Sequence, residues 1–441
     1  MPNSVWFALA ALAVIVVGLP TWRHFHYRSY WPAVGFPVAA LRVRTGWRRV
    51  ALGCHLTKKR QRYSFTLVSR AVENSGLVKV KRRFQRVSVD TPPWMWLPRP
   101  TPHGWRVTVR LLEGQTPDDY AQAAEPLAHA WGAHAVRVTS PRRGRVVLWV
   151  TVRDPLVAVA AVPASPDLLK VTVGRMETGE PWTIDFRTMP HWLNAGATQS
   201  GKSNLANALL VGLAPQPVAL VGLDLKGGVE FAPYEPRLSA LATTRAESLK
   251  VLDDLVEQMT DRMGVCRMAG ARNIWQLPPG VRPVPVVVLV DEVAELFLMA
   301  DKSEKDEVAR TSTALLRIAQ LGRAFGIYLF LSGQRIGSDL GPGVTALRAQ
   351  CSGRICHRVN DPETANMTLG DLDPDALVAA RAIAAATPGV AIIAGQDGQW
   401  HRGRSLPVAE ETAERAAHAY ADRAPSWAQV TERTATDLPT G

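Results

Sequence analysis

The chain has 441 residues, 47% of them hydrophobic, enough for two or three packed domains and too apolar for a disordered polymer. Its formal charge of +12 is unevenly placed: Arg23 to Arg110 holds 19 Lys and Arg against two acids, Glu73 and Asp90, and the remainder is mildly acidic. Such a block faces nucleic acid or an anionic membrane surface unless it is simply a solvated face. The four scattered cysteines, Cys54, Cys266, Cys351 and Cys356, supply neither a disulfide framework nor a zinc set and fit a reducing compartment.

Val5 to Trp22 runs 18 residues without a charge, and as a helix it reaches ~27 Å, slightly under the ~30 Å hydrocarbon thickness. It reads as a single transmembrane helix. The competing secretory signal lacks a positive charge before the apolar run and a small-residue cleavage site after it. Arg23, Arg28, Arg42, Arg44, Arg48 and Arg49 follow, so the positive-inside rule puts the remainder in the cytoplasm of a single-pass plasma-membrane protein. Trp31 to Leu41 carries Pro32 and Pro37 and is interfacial at most, with Tyr27, Tyr30 and Trp31 at headgroup depth. Arg42 to Arg86 interleaves cations with Trp47, Tyr63, Phe65 and Phe84, a composition that suits anionic lipid or DNA phosphate equally.

Five prolines between Thr91 and Pro102 mark a linker. A small α/β unit follows: strands at Trp105–Leu112, Ala135–Thr139 and Arg145–Val152, and a helix capped by Thr116-Pro117-Asp118-Asp119 and running to about Trp131. Nothing in it suggests catalysis, so packing or ring assembly is its default role.

From about Asp167 the pattern changes to short β-branched runs, Val218–Leu223, Val284–Val290, Ile327–Ser332, Arg354–Val359 and Val390–Ile393, mostly separated by helices. This predicts a largely parallel sheet covered on both faces. Within it Gly196-Ala197-Thr198-Gln199-Ser200-Gly201-Lys202-Ser203 matches the G-x-x-x-x-G-K-S phosphate loop, between a short strand at Trp192–Ala195 and a helix at Asn204–Leu213. The glycines let backbone N–H groups close around an anion, Lys202 reaches the β- and γ-phosphates, and Ser203 offers a hydroxyl to Mg²⁺. The expected cofactors are ATP and Mg²⁺.

Val286 to Val290 is an apolar strand ending in Asp291-Glu292, the form of a Walker B segment. Asp291 is expected at the Mg²⁺ shell, and Glu292 is expected to polarise the attacking water. Gln334, at the end of the Ile327–Ser332 strand, can hydrogen-bond both a phosphate oxygen and that water. Lys226 and Arg335 follow strand ends in similar places and are either solvated loop cations or DNA contacts. Cys356-His357 falls in a buried strand and reads as core.

Met189-Pro190-His191 leading into the phosphate loop, Asp224-Leu225-Lys226-Gly227-Gly228-Val229-Glu230-Phe231, Gly322-Arg323-Ala324-Phe325-Gly326-Ile327 and Ser332-Gly333-Gln334-Arg335 together resemble the FtsK/SpoIIIE DNA translocases, in that family's order, over about Leu169 to Gly395. The resemblance implies a RecA-like core assembled as a homo-hexameric ring around double-stranded DNA, with ATP hydrolysed between subunits. It implies a catalytic arginine from the neighbouring subunit, Arg323 or Arg354, and a pore loop in the stretch after Arg335. Gln199 stands where the family usually has glycine.

The fold expected is therefore α/β: a RecA-like P-loop ATPase core at 165–405, preceded by a small α/β domain at 104–164, a basic juxtamembrane segment and Pro-rich linker at 23–103, and a transmembrane anchor at 1–22. Residues 406–441 read as a helix and a polar tail, too short for the family's sequence-reading winged helix. That compactness is similar to the FtsK-like transfer proteins of actinobacterial conjugative plasmids and integrative elements. The function expected is a membrane-anchored, ATP-driven translocase of double-stranded DNA in conjugation, with accessory transfer proteins as further partners. The alternatives are a chromosome-partitioning translocase at the septum and, in another class, the ATPase of a type VII protein secretion system.

Overall fold

The computed structural model describes residues 14–71, 78–157, 159, 165–299, 301–337, 340–341, 343–370, 374–394 and 398–432. The chain divides into two compact units, Met1–Asp154 and Pro155–Gly441.

The first unit begins with α1 (Leu19–Phe25), α2 (Tyr27–Tyr30) and α3 (Phe36–Gly53). No helix among the described residues is long and apolar enough to cross a membrane, and residues 5–13 of the expected span lie outside them. Trp31, expected at headgroup depth, is instead buried: its indole N–H donates to the Gly104 carbonyl at 3.1 Å. A buried indole needs such a partner, and here the protein interior supplies it.

Two long strands, β1 (Lys58–Ala71) and β2 (Val78–Thr91), pair antiparallel along their whole length. A four-stranded antiparallel sheet follows, in the order β3 (Arg99–Thr101), β4 (Gly104–Arg110), β6 (Arg145–Thr151), β5 (Ala135–Arg142). Its inward positions alternate, Val107 and Val109 against Val146, Leu148 and Val150, as a half-buried sheet requires. The stretch read as a linker is built into this unit: Trp96 N–H donates to Thr108 O, Arg110 N–H to Trp94 O, and the Trp47 indole to Pro93 O at 2.8 Å. The helix expected to run unbroken to Trp131 divides at Ala123 into α4 (Pro117–Gln122) and α5 (Ala124–Trp131). Pro126 is the cause, since it has no N–H to give the Gln122 carbonyl.

The second unit is built on a ten-stranded sheet. Six strands are parallel, in the order β11 (Ala240–Ala242), β10 (Ala219–Leu223), β12 (Val286–Val290), β13 (Ile327–Gly333), β9 (His191–Ala195), β14 (Gly353–His357). Four antiparallel strands extend it: β15 (Val390–Ala394), β16 (Trp400–Ser405), β7 (Lys170–Met176) and β8 (Pro181–Asp185). Strands β9, β10, β12 and β13 are buried at every position, which is why they read as unbroken apolar runs.

On one face Val221, Val288, Leu329 and Leu331 pack with Leu252, Leu255 and Met259 of α7 (Arg245–Met268) and Leu315 and Ile318 of α8 (Lys305–Phe325). On the other, Leu220, Val287, Leu289 and Phe330 pack with Leu205, Leu209 and Leu213 of α6 (Lys202–Leu213). The segment expected as a helix and polar tail has its helix, α12 (Glu410–Ala419), and packs into these cores: Ala413 and Ala417 of α12 and Val430 of α13 (Trp427–Thr431) are buried, and Gln258 donates to the Thr431 carbonyl at 2.6 Å. Helices α9 (Val344–Gln350), α10 (Pro362–Leu369) and α11 (Pro374–Arg381) complete the unit.

Candidate nucleotide site at the carboxyl edge of the parallel sheet

Because the central strands are parallel, their carboxyl ends lie along one edge, and β9 sits between β13 and β14, which follow it in the chain. Crevices at such a reversal of strand order are where open α/β sheets bind ligands. The sequence places the phosphate loop after β9, Asp224 and Lys226 after β10, Asp291 and Glu292 after β12, Gln334 and Arg335 after β13, and Arg358 after β14.

The loop is clamped by both neighbours. Gly196 N–H donates to Gly333 O at 3.2 Å, Ala197 N–H to Arg358 O at 2.8 Å, and the Arg358 guanidinium to Thr198 O at 3.2 Å. Packing leaves no room for side chains at the two glycine positions of the motif. A Cβ on Gly196 would stand 2.7 Å from His357 Cβ, and one on Gly201 would stand 2.3 Å from Gly389 N. Gly201 also has φ +108°, open to glycine at little cost. Gln199 adopts φ +58° without being glycine. Its left-handed backbone is the feature that makes glycine the usual residue there.

The N–H groups of Gly201, Lys202 and Ser203, at the start of α6, donate to no acceptor among the described residues. The Ser200 hydroxyl is buried beside them without a partner. These orphaned donors and the glycine-walled cradle fit a phosphate chain. Lys202 Nζ donates to the carbonyls of Gly196 at 2.7 Å and Ala197 at 3.2 Å. Burial lowers its pKa, with Lys226 adding to the fall and Glu292 and Asp291 opposing it.

Asp291 and Glu292 are both buried. Asp291 Oδ2 accepts from Lys226 Nζ at 2.6 Å. Glu292 Oε1 accepts the Gln334 backbone N–H at 3.2 Å, while Oε2 is buried with no partner. Burial pushes the Glu292 carboxyl above the usual range, against the pull of that N–H, Lys226 and Lys202. The Gln334 side chain reaches the loop, accepting from Thr198 Oγ1 at 3.4 Å. A divalent ion would be held here by Asp291 and the Ser203 hydroxyl, which the strand order puts on the same edge as the anion cradle.

Lys226 is thus committed to Asp291 rather than free at a loop end, and Arg335 pairs with Glu363 at 3.0 Å. Arg323 is exposed in the last turn of α8, where β13 begins. The seven residues of β13 separate it from the phosphate loop, about 20 Å along the strand. Arg354, opposite Leu193 within the sheet, donates to Cys351 O and Thr368 O, both at 3.3 Å. Of the expected pore loop, residues 338, 339 and 342 lie outside the described residues.

Four supporting groups escaped the sequence reading. Asp224, fully buried, accepts from the N–H groups of Lys226, Glu230 and Phe231 and so folds the loop after β10. Asn194 holds Ser332 Oγ at 3.0 Å and keeps a buried carbonyl oxygen without a partner. His357 lies under the loop, its pKa lowered to about 3 by burial and the Lys202 charge. Arg358 clamps Thr198. The available signal was position: each except Asn194 directly ends or follows an apolar strand.

Residues 14–152 match the family described as "Actinomycete conjugal transfer protein N-terminal domain", and residues 156–281 and 276–338 match the "FtsK/SpoIIIE family". The chain is 43% identical over 347 residues to the "Transfer protein TraSA" of Streptomyces ambofaciens, spanning 76% of this chain and 83% of that protein. It is 50% identical over 232 residues to a "Sporulation regulatory protein" of Streptomyces azureus, spanning 53% and 75% respectively. Among solved structures, the monomer form of the pCW3 conjugation coupling protein TcpA with ATPγS shares the fold, with a TM-score of 0.52 and 20% identity over 75% of this chain and 94% of that one.

Proposed function

The chain belongs to the FtsK/SpoIIIE family, in the branch carrying the actinomycete conjugal transfer N-terminal domain, and on that footing we propose that it is an ATP-driven motor moving double-stranded DNA during conjugation. One observation carries the enzymatic part: Lys202, Ser203, Asp291, Glu292 and Gln334 converge on a single edge of the sheet, beside unpartnered backbone donors. In this reading Lys202 would leave the Gly196 and Ala197 carbonyls for the β- and γ-phosphates, and Ser203 and Asp291 would hold the metal. Magnesium supplies neutralisation of phosphate charge. The free Glu292 oxygen accepts a proton from the attacking water, and the Gln334 amide orients that water against the γ-phosphate.

Arg323 cannot complete its own subunit's site, being at the opposite edge of the sheet. It is exposed and suits a head-to-tail ring, in which one subunit's edge faces the next subunit's loop. We assign it, ahead of the internally bonded Arg354, as the arginine acting in trans in a homo-hexamer.

The segment Val5–Trp22 is proposed as a single-pass plasma-membrane anchor that leaves the ATPase in the cytoplasm. Exposed Val16, Val17 and Phe25 beside Arg23 support this reading. Deleting Val5–Trp22 is expected to release the protein from membranes at high salt; continued pelleting would refute the anchor. The motor itself is tested by ATP-dependent stripping of a third strand from a DNA triplex, expected for the chain and absent in Lys202→Ala. Failure of the unaltered chain to displace the strand would overturn the proposal.

A further inference from the structure

The contact between Lys226 and Asp291 bears on how the site loads. Asp291 is the acid expected at the metal, yet its Oδ2 already holds an ammonium at 2.6 Å. Its side chain is only 9% exposed, whereas that of Lys226 is 43% exposed. The carboxylate is therefore fixed and the cation is the movable partner. A divalent ion and an ammonium crowded on one buried carboxylate repel each other, and the divalent ion with its bound phosphates has the stronger claim.

The loop bearing Lys226 is made to pivot. Its two ends are tied to one buried carboxylate: Asp224 accepts from Lys226 N–H at 3.1 Å and from Glu230 N–H at 2.8 Å. Between those ties stand Gly227 at φ +85° and Gly228 at φ +79°, residues that adopt such angles without strain. Val229, at the tip, is exposed. The roots stay with Asp224, whose carbonyl also accepts the Gly228 N–H at 3.2 Å, while the exposed Lys226 side chain and Val229 are the parts with room to move.

We propose that Lys226 is a placeholder for the metal: it occupies Asp291 before magnesium nucleotide arrives, and its expulsion makes the Lys226–Glu230 loop report that the site is loaded. The ammonium keeps the buried Asp291 paired meanwhile, which an isolated buried carboxylate requires. Once expelled, Lys226 stands at the same edge as Gln334 and Arg335, as a cation presented only by a loaded subunit.

This rests on the nucleotide site proposed above, and the experiment separates the two. Acetylation of Lys226 by a brief pulse of acetic anhydride is read by peptide mass spectrometry for the full chain, for the chain with Mg²⁺ and a fluorescent non-hydrolysable ATP analogue, and for Asp291→Asn. In parallel, the Mg²⁺ dependence of analogue binding is compared between the chain and Lys226→Met. Expected are a severalfold rise in Lys226 labelling both in Asp291→Asn without nucleotide and in the chain with Mg²⁺ and analogue. Lys226→Met is expected to need about threefold to tenfold less Mg²⁺, the size of effect for one partly exposed charged pair. Analogue bound with Mg²⁺ but labelling unchanged would overturn the placeholder and leave the nucleotide site standing. Unchanged labelling in Asp291→Asn, or an unchanged Mg²⁺ requirement in Lys226→Met, would also overturn it. No binding of the analogue at all would overturn the site and the placeholder together.

Discussion

The Gln334 backbone N–H donates to Glu292 Oε1 at 3.2 Å, joining the ends of β13 and β12. One oxygen of the carboxylate is thereby fixed by the main chain, and the other is left without a partner. Glu292→Gln is expected to bind nucleotide normally and to hydrolyse it at least about a hundredfold more slowly, the usual scale for losing a general base. Gln334→Ala keeps the N–H that orients Glu292 and should lose less. Single-turnover hydrolysis beside equilibrium nucleotide binding checks both, and an unimpaired Glu292→Gln would remove Glu292 from the chemistry.

The pH dependence follows from burial. Glu292 acts as a base only when ionised, and its pKa is raised above that of an ordinary glutamate by burial, less the pull of the Gln334 N–H and the two lysines. Activity should therefore fall with acidification at a higher pH than an exposed glutamate would give. Lys226→Met removes one of the charges favouring the ionised form in the unloaded site, so the acid limb of kcat/KM, which reports the free enzyme, should move further up in pH. A limb that stayed in place or moved down would contradict the assignment.

Gln199 holds φ +58° at the tip of the phosphate loop. A left-handed backbone costs a non-glycine residue roughly 1–2 kcal/mol, and glycine returns part of that through the greater freedom of its unfolded chain, roughly 0.4–1 kcal/mol. Gln199→Gly should accordingly raise stability by about 0.5–1 kcal/mol and retain nucleotide binding. Denaturant unfolding checks it, and a loss of stability would show that the Gln199 side chain contributes more than its backbone costs.

Arg323 and Arg354 are separated by mixing. If Arg323 acts in trans, Arg323→Ala and Lys202→Ala subunits, each inactive alone, should regain up to about a quarter of the activity when combined, since some junctions then hold both intact partners. Recovery with Arg354→Ala and not with Arg323→Ala would reverse the choice.

Much of the second unit was legible because its strands are buried on both faces, so Val286–Val290 and Ile327–Ser332 announce themselves as unbroken apolar runs. The phosphate loop and Asp291-Glu292 were legible because their chemistry depends on fixed residue types at fixed spacing. What could not be read was pairing between distant segments. Nothing local tells Lys226 to sit on Asp291, or Asp224 to tie down Glu230 and Phe231. The first unit hid more: Trp31 and the prolines after Thr91 have the composition of an interface and a linker, but tertiary hydrogen bonds to Gly104, Trp47 and Thr108 place them in a packed unit. Composition reports solubility and turn preference, not which carbonyl an indole will find.

If this site drives movement along duplex DNA, its turnover must depend on the duplex. Steady-state ATP hydrolysis by the full chain, with double-stranded DNA, single-stranded DNA or no DNA added, measures that dependence. Strong stimulation by duplex alone is expected, abolished in Lys202→Ala. Hydrolysis indifferent to duplex, or stimulated equally by single strands, would contradict it.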